Sequence, residues 1–454
     1  MTTRFRPEAV VVGGVVRRGV SLLVSDDGVV LPADAQVGDV VDVPMPGRIV
    51  VPGFVNGHSH AFQRVLRGRT EFLAAGHERD DFWSWREAMY AAATALSPEQ
   101  LYDVSRQCFL EMALAGVTTV GEFHYLHHQP DGTPYDDVHL LARQVIAAAR
   151  DVGLRMVLLR VGYARAGFGL APNPRQRRFI EKDVDTYLGR THELAALTKR
   201  DALVTVGLAP HSVRAVPKTW LSTISREWTH GPLHMHVSEQ PAELRACEAE
   251  YGVTPVQLLE REGLLTERFT AVHAIHLHDA EVAALGRARA TVCACPSTER
   301  NLGDGIVKAD ELLAAGAHVS LGSDSHAHIG MLEEAQMLEG HLRLLRLRRN
   351  VLDPGRGEPD GVARRLLDTL TLAGDRSLGL APGTLLPGSR ADFVGLDLQH
   401  PTLLGVSDAR VLLGAPSSAV REVVVNGRTI VNEGRHAAQL DVARRFEAVM
   451  HTLV

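Results

Sequence analysis

Eight short apolar runs, separated by longer segments with helical patterning, constrain the fold of this chain more than any other feature. Each run is rich in Val, Leu or Ile, which is typical of strands buried on both faces of a parallel sheet. The runs cover residues 48–56, 117–123, 154–161, 203–209, 232–237, 269–273, 290–295 and 318–323. Amphipathic segments between them include residues 98–115, 138–152, 181–199 and 255–262. Strands that alternate with helices in this way predict an α/β protein with a (β/α)8 TIM-like barrel.

The two ends of the chain have a different pattern, with short strand candidates separated by Gly and polar turns. These candidates cover residues 10–16, 21–25 and 29–31 at one end and 391–396, 420–425 and 428–431 at the other. Asn426-Gly427 between the last two is a strong signal for a hairpin turn. Because neither end is long enough for a good sheet alone, we predict one small β-sandwich made by residues 1–50 and 381–454, with a terminal helix. The barrel then spans residues 51–380.

Composition excludes several kinds of partner. There are 48 Lys and Arg against 54 Asp and Glu, a formal net charge of −6, whereas nucleic-acid binding needs a basic surface. No apolar stretch reaches the roughly 18 residues of a membrane span. The four cysteines are too few and too scattered for a disulfide framework. The first residues lack the pattern of a signal peptide, so we expect a cytoplasmic protein that binds neither nucleic acid nor membranes.

Histidine and carboxylate side chains stand where several of the predicted strands end. In a parallel barrel these ends meet at one mouth, which is where active sites lie. The residues are His58 and His60 after the first strand, His236 and Glu239 after the fifth, His273 after the sixth and Asp324 after the eighth. Each has an ordinary structural explanation when taken alone, but such explanations do not account for their coincidence at four strand ends. His-x-His is a good two-ligand unit, so the pattern predicts a metal site.

These residues, in this order, resemble the amidohydrolase superfamily, and the resemblance covers nearly the whole chain. It implies that the metal ligands are His58, His60, His236 and Asp324. It also implies that Glu239 and His273 are catalytic residues that transfer protons. The His-x-x-Glu unit is similar to the deaminase branch, which uses one metal. Members with two metals usually have a lysine at the end of the fourth strand, and residues 207–211 contain none.

The chemistry of these groups agrees with that assignment. Three neutral imidazoles and one carboxylate suit Zn²⁺, although iron or manganese binds the same donors. A bound ion brings the pKa of water towards neutrality. We expect His273 and Asp324 to accept the proton of the attacking water, and Glu239 to pass protons to the departing nitrogen. Hydrolysis of a C=N carbon with loss of ammonia needs these parts.

A second set of residues bears on the substrate. The loops contain H-S-H-A-F-Q-R from residue 58, F-W-S-W-R from residue 82 and H-S-V-R from residue 211. Arg86 and Arg214, on separate loops, suit two carboxylates, because a guanidinium pairs with a carboxylate through two hydrogen bonds. The loops resemble members of the superfamily that convert N-formimino-L-glutamate into N-formyl-L-glutamate and ammonia in histidine degradation. The resemblance implies a homodimer and a second group of substrate contacts at Gln63, Tyr125 and His211.

Three alternatives stay open on the sequence. The nearest is a deaminase on the same scaffold that acts on a guanine-like or adenosine-like ring. A metal-dependent amidase, which releases an amine from a peptide-like bond, differs from both in its products. A non-catalytic barrel that serves as a binding partner would be expected to have lost ligands, and every expected ligand is present.

Overall fold

The computed structural model describes residues 2–73, 80–355 and 357–453, whose strands form two sheets. The first five strands are β1 (Thr2–Val12), β2 (Val15–Arg18), β3 (Leu22–Val24), β4 (Val30–Leu31) and β5 (Val40–Pro52). The next eight are β6 (Phe54–Ser59), β7 (Val117–His124), β8 (Arg155–Gly162), β9 (Val204–Pro210), β10 (Leu233–Val237), β11 (Phe269–His273), β12 (Thr291–Ala294) and β13 (His318–Leu321). The last three are β14 (Phe393–Asp397), β15 (Val420–Val425) and β16 (Arg428–Val431).

Strands β6 to β13 form the barrel that the sequence predicts. Each strand pairs in parallel with the next along the chain, in the order β6 to β13. A parallel bridge between Ser59 and Asp324 joins the two ends of this sheet, and the amide of Asp324 donates to the carbonyl of His58 over 3.0 Å. The (β/α)8 fold is therefore confirmed, and the bridge that closes it lies among the predicted metal ligands.

Helices lie between the barrel strands and follow them. They are α1 (Phe82–Ala95), α2 (Pro98–Leu114), α3 (Leu140–Val152), α4 (Val184–Thr198), α5 (Lys218–Glu227), α6 (Pro241–Tyr251), α7 (Pro255–Arg261), α8 (Asp279–Arg287), α9 (Pro296–Leu302), α10 (Ala309–Ala315), α11 (Met331–Arg346), α12 (Gly361–Leu370), α13 (Leu372–Ser377) and α14 (Gln439–Thr452). Among the described residues, no helix is both long and apolar enough to cross a membrane.

The first apolar run needs a correction, because residues 48–56 do not form one strand. β5 ends at Pro52 and belongs to the other sheet, whereas β6 begins at Phe54 in the barrel. Gly53 stands between them, where a Cβ atom would collide with the side chain of Thr118. Apolar residues continue on both sides of this change of sheet, so the apolar pattern alone did not reveal it.

The two ends of the chain together form the second sheet, as predicted. Its strand order is β16-β15-β14-β5-β1-β3-β4, with β2 paired to β1, so C-terminal and N-terminal strands meet where β14 pairs with β5. This sheet has a small core of its own around Phe5, Leu22 and Phe393. The rings of Phe5 and Phe393 make an edge-on contact at 4.9 Å between centroids.

Residues 10–16 were predicted as one strand, and this is wrong. β1 ends at Val12 and β2 begins at Val15. Gly13 and Gly14 form the turn between these antiparallel strands, with φ angles of 55° and 79°. Glycine adopts such angles without the steric cost that a Cβ atom imposes, so the glycine pair marks a hairpin and not the middle of a strand.

Candidate active site

The predicted site residues meet at the mouth of the barrel formed by the carboxyl ends of the strands. His58 lies in β6, His236 in β10 and His273 at the end of β11, while Asp324 follows β13. All four are buried. One cavity at this mouth is lined by Gln63, Arg86, Tyr125, His211, Arg214 and Glu239 together with His60, His236 and Asp324. The structure therefore brings the predicted ligands, proton-transfer groups and substrate contacts to one place.

Three imidazoles and a carboxylate converge at the base of this cavity. The Nε2 atom of His58 lies 3.1 Å from Nε2 of His60 and 3.1 Å from Nε2 of His236. Oδ1 of Asp324 lies 3.3 Å from Nε2 of both His58 and His60. One candidate ligand atom from each of the four residues falls within 4.8 Å of all the others. The four atoms lie close enough together to hold a metal ion.

Hydrogen bonds at the other ring nitrogens test whether these histidines fit a metal. Nδ1 of His60 lies 3.0 Å from the carbonyl oxygen of Phe123, and Nδ1 of His236 lies 3.1 Å from that of His211. A carbonyl accepts only from an N–H, so the proton sits on Nδ1 and the lone pair of Nε2 points to the centre. Lone pairs that converge in this way repel one another unless a cation lies between them.

The protonation of the imidazoles supports the same conclusion. Burial lowers the pKa of His58 to about 3. Burial also holds the pKa of His236 well below its usual value. Both rings are therefore neutral near pH 7, which is the state that binds metals. The residues present fit a divalent cation.

The backbone at the strand ends is strained where it carries the site. Ser238, His273 and Asp324 have φ angles of 51°, 69° and 46°. Residues other than glycine rarely adopt positive φ, and such positions cluster at functional sites, where the surrounding fold holds them. Nε2 of His273 and Oδ2 of Asp324, at the ends of two such strands, lie 3.6 Å apart. Sequence patterning carries no signal for these angles.

Glu239, His273 and Asp324 form a second cluster beside the four ligands. Nε2 of His273 lies 3.5 Å from Oε1 of Glu239 and 3.6 Å from Oδ2 of Asp324. Burial alone would lower the pKa of His273, but the carboxylates of Glu239, Glu299 and Asp324 raise it well above its usual value. The imidazole can therefore hold a proton between two carboxylates, as a proton-transfer group must.

The predicted substrate contacts line the cavity above these groups. Nε2 of Gln63 donates to the hydroxyl of Tyr125 over 2.8 Å. The guanidinium of Arg86 lies over the ring of Trp83 at 4.5 Å, and that of Arg214 lies over the ring of Phe82 at 5.5 Å. Both arginines retain a buried nitrogen, Nε in Arg86 and Nη1 in Arg214, with no hydrogen-bond partner among the described residues. Buried N–H donors without a partner are suited to bind a ligand that carries hydrogen-bond acceptors.

Sequence reasoning missed several residues of the site. Glu299 in α9 accepts from the backbone N–H of Cys295 over 2.8 Å and lies 3.4 Å from Nδ1 of His273. Tyr90 and Tyr163 line the cavity, and their hydroxyls lie 3.3 Å apart. The only sequence signal for Glu299 was its position just after the seventh predicted strand. Which group a buried carboxylate contacts depends on segments that are far apart in the sequence, and the periodicity of the sequence does not encode such contacts.

Comparison with known proteins identifies the family. The model of the amidohydrolase family matches residues 49–430. The chain belongs to the amidohydrolase family. The resemblance inferred from the strand-end residues is therefore confirmed, and a metal-dependent hydrolase is the class that the family indicates.

Individual relatives of this amidohydrolase cover most of its length. A formimidoylglutamate deiminase of Pseudomonas aeruginosa is 40% identical over 414 residues, which are 90% of each chain. A 5-methylthioadenosine/S-adenosylhomocysteine deaminase of Pelotomaculum thermopropionicum is 29% identical over 407 residues, 87% of this chain and 83% of that one. The crystal structure of an amidohydrolase from Brucella melitensis is 35% identical, with a TM-score of 0.90 over 99% of both chains.

Proposed function

We propose that this amidohydrolase hydrolyses N-formimino-L-glutamate to N-formyl-L-glutamate and ammonia, as a step of histidine degradation. The observation that carries the proposal is that Arg86 and Arg214 line the same cavity as the metal-ligand cluster. A substrate with two carboxylates and one amidine has carboxylates for the two arginines and an amidine for the metal-ligand cluster. The identity to a formimidoylglutamate deiminase supports the same substrate.

One divalent ion, Zn²⁺ in the first place and iron or manganese as alternatives, is the proposed cofactor. His58, His60, His236 and Asp324 would hold it, since their donor atoms converge and two of the rings are fixed with Nε2 facing inward. When bound, such an ion supplies Lewis-acid activation of water near neutral pH. The absence of a lysine at residues 207–211 supports a single catalytic ion.

The protein groups then divide the proton transfers. His273 and Asp324 accept the proton of water as its oxygen bonds to the amidine carbon, since Nε2 of His273 and Oδ2 of Asp324 lie 3.6 Å apart. Glu239, whose Oε1 lies 3.5 Å from the same Nε2, passes to the leaving nitrogen the two protons that the water oxygen loses. The C–N bond breaks, the new oxygen becomes the formyl oxygen and nitrogen leaves as ammonia. Water and substrate account for every atom of the products.

The arginines select the glutamate portion. Each guanidinium has a buried N–H without a partner in the described chain, and carboxylates satisfy such donors with charge-assisted hydrogen bonds. Gln63, Tyr125 and His211 line the same cavity as the arginines and the ligand cluster and are proposed to orient the formimino group. Burial holds the pKa of His211 well below its usual value, so this ring is neutral and can accept or donate a hydrogen bond.

The test is a substrate panel with metal-loaded enzyme. Ammonia release is measured from the N-formimino derivatives of glutamate, glutamine and glycine and from adenosine- and guanine-like compounds. We expect kcat/KM to be highest for the glutamate derivative. Turnover of a heterocycle in preference to it would reject the proposal in favour of the second candidate, for which the 29% identical nucleoside deaminase is the supporting observation.

Two arginine variants sharpen this test. Arg86→Met and Arg214→Met should each lower kcat/KM for the glutamate derivative. The arginine that binds the side-chain carboxylate should matter far less for the glycine derivative, which lacks that carboxylate. Arg175→Met is the matched control, since Arg175 is exposed and pairs with Glu87 on the same helix as Arg86. A loss on the glutamate derivative no greater than that of Arg175→Met would remove the carboxylate role from that arginine.

Three other expectations remain proposals. A homodimer follows from the resemblance, and light scattering of the purified protein checks it. A cytoplasmic location is tested by fractionation of cells that express the chain. The division into residues 1–50, 51–380 and 381–454 is tested by limited proteolysis, which should cleave near these limits.

A further inference from the structure

We propose that His273, Cys295 and Asp324 form a second cation site, selective for thiophilic divalent ions, and that an ion bound there blocks the reaction. The block rests on the proposed function, whereas the binding does not. Candidate ligand atoms of the three side chains lie within 4.8 Å of one another. All three residues are buried. They come from the ends of three neighbouring strands, β11, β12 and β13.

Asp324 has one oxygen for each site. Its Oδ1 lies 3.3 Å from Nε2 of His58 and of His60, in the cluster of the catalytic ion. Its Oδ2 lies 3.6 Å from Nε2 of His273, on the other side. A carboxylate binds two cations through its two oxygens without a change of rotamer. An ion at the first site therefore leaves Oδ2 of Asp324 available to an ion at the second site.

His273 is oriented as metal-binding histidines are. Its Nδ1 lies 3.4 Å from Oε1 of Glu299, and that oxygen also accepts from the backbone N–H of Cys295 over 2.8 Å. A carboxylate behind the imidazole fixes the ring and directs Nε2 forward. Nε2 is buried and makes no hydrogen bond to the described residues. The same carboxylate thus ties the histidine to the segment that carries the thiol.

The thiol decides which ions the site takes. Cys295 is fully buried, and its Sγ makes only a long contact of 3.9 Å with the carbonyl oxygen of Cys293 among the described hydrogen bonds. Thiolate ligands select soft ions such as Cd²⁺ and Zn²⁺ over Mg²⁺ and Ca²⁺. Binding forms a metal–sulfur bond and a bond to Nε2 of His273, and it releases to solvent the thiol proton and the proton that Nε2 holds. The first cluster contains no sulfur ligand, so a thiolate signal distinguishes the two sites.

An ion at this site would occupy the atoms that transfer protons. Nε2 of His273 and Oδ2 of Asp324 are its ligands, and Oε1 of Glu239 lies only 3.5 Å from that nitrogen. His273 and Asp324 could then no longer accept a proton, and Glu239 would lose its proton-exchange partner at Nε2 of His273. We therefore expect inhibition by excess thiophilic ion, with no loss of the ion at the first site.

The binding test is a titration of zinc-loaded enzyme with Cd²⁺, followed through the ultraviolet thiolate-to-cadmium charge-transfer absorbance. We expect the absorbance to saturate at one equivalent of Cd²⁺ per chain in wild type and in Cys293→Ala. Cys293 is the matched control because it is buried two residues away, outside the cluster. Cys295→Ala should abolish the band. A band that survives in Cys295→Ala, or no band in wild type, would overturn the proposal.

The inhibition test uses the same variants. Cys295→Ala should raise the Cd²⁺ concentration for half inhibition by about 10-fold or more, since even changes behind a ligand cost that much, whereas Cys293→Ala should not. Mg²⁺ should inhibit neither. Cys295→Ser, which keeps the side-chain volume, serves if the alanine variant does not fold. A band without inhibition would refute the block alone. The band is recorded without substrate, so failure to turn over N-formimino-L-glutamate leaves the binding result intact.

Discussion

A substitution of the single residue Glu239 should impair turnover without affecting metal binding. Glu239 lines the cavity but is not among the four converging ligands. Glu239→Gln keeps the shape and removes the acid, so kcat should fall by about 10²- to 10⁴-fold. Metal content, measured by atomic emission, should stay at that of wild type. Near-normal kcat would remove Glu239 from the mechanism, and loss of metal would make it a ligand.

Glu334 in α11 makes stability depend on pH. Burial raises its pKa to about 8 from 4.5, and its Oε2 accepts from the backbone N–H of Ser297 over 2.9 Å. The folded state keeps this proton longer than the unfolded chain does, so the contribution is present below about pH 4.5 and is lost as the pH rises to about 8.

Glu334→Gln removes that dependence while retaining an acceptor oxygen. The free energy of unfolding of the variant minus that of wild type should increase by about 1–3 kcal/mol as the pH rises from about 5 to about 8. Denaturant titrations at the two pH values measure the gain. The same difference at both pH values would contradict the raised pKa.

Some site residues could be predicted from the sequence, and others could not. His58 and His60 are recognisable because alternation along a strand puts both on one side at a strand end. Glu299 and the positive φ of His273 depend on contacts between distant segments. Arg86 and Arg214 were predicted from their residue type and loops, but the aromatic rings that support them, Trp83 and Phe82, were not.

The helix α1 places Arg86 in the cavity, so its stability bears on substrate affinity. The side chain of Asp81 caps this helix by accepting from the N–H groups of Trp83 and Ser84. Asp81→Ala should cost about 1 kcal/mol of helix stability and raise KM about fivefold, with little change in kcat. Asp81→Asn, which still caps, is the control. An unchanged KM in the alanine variant would show that the cap does not hold Arg86.

Strands and helices of the barrel were predictable to within a few residues. The run at 269–273 coincides with β11, and the predicted helix at 98–115 ends one residue beyond α2. The errors occur where an apolar run continues through a change of partner, as at Gly53 between β5 and β6. Hydrophobicity reports burial, and burial is the same on both sides of that point.

The barrel and the terminal sheet are held together by a buried carboxylate at the end opposite the site. Asp392 accepts from Nε of Arg155 in β8 over 2.8 Å and from the backbone N–H of Asn426 over 2.6 Å. Asp392→Ala leaves Arg155 without this partner and should lower the free energy of unfolding by about 3–5 kcal/mol. kcat/KM of the folded protein should not change.

An exposed ion pair provides the comparison. Glu260→Ala breaks the contact of 2.9 Å with Arg287, whose side chain is 64% exposed, and should cost at most about 1 kcal/mol. Similar losses from Asp392→Ala and Glu260→Ala in denaturant titrations would show that Asp392 does not join the two sheets. The joining of both chain ends in one sheet was predictable from their short strands, but this ion pair was not.

The identity of the products tests the central claim most directly. N-formimino-L-glutamate is incubated with metal-loaded enzyme, and the products are followed by NMR together with an assay for ammonia. Attack of water with loss of the terminal nitrogen predicts one N-formyl-L-glutamate and one ammonia for each substrate consumed. Formamide and glutamate, or no consumption of the substrate, would contradict it.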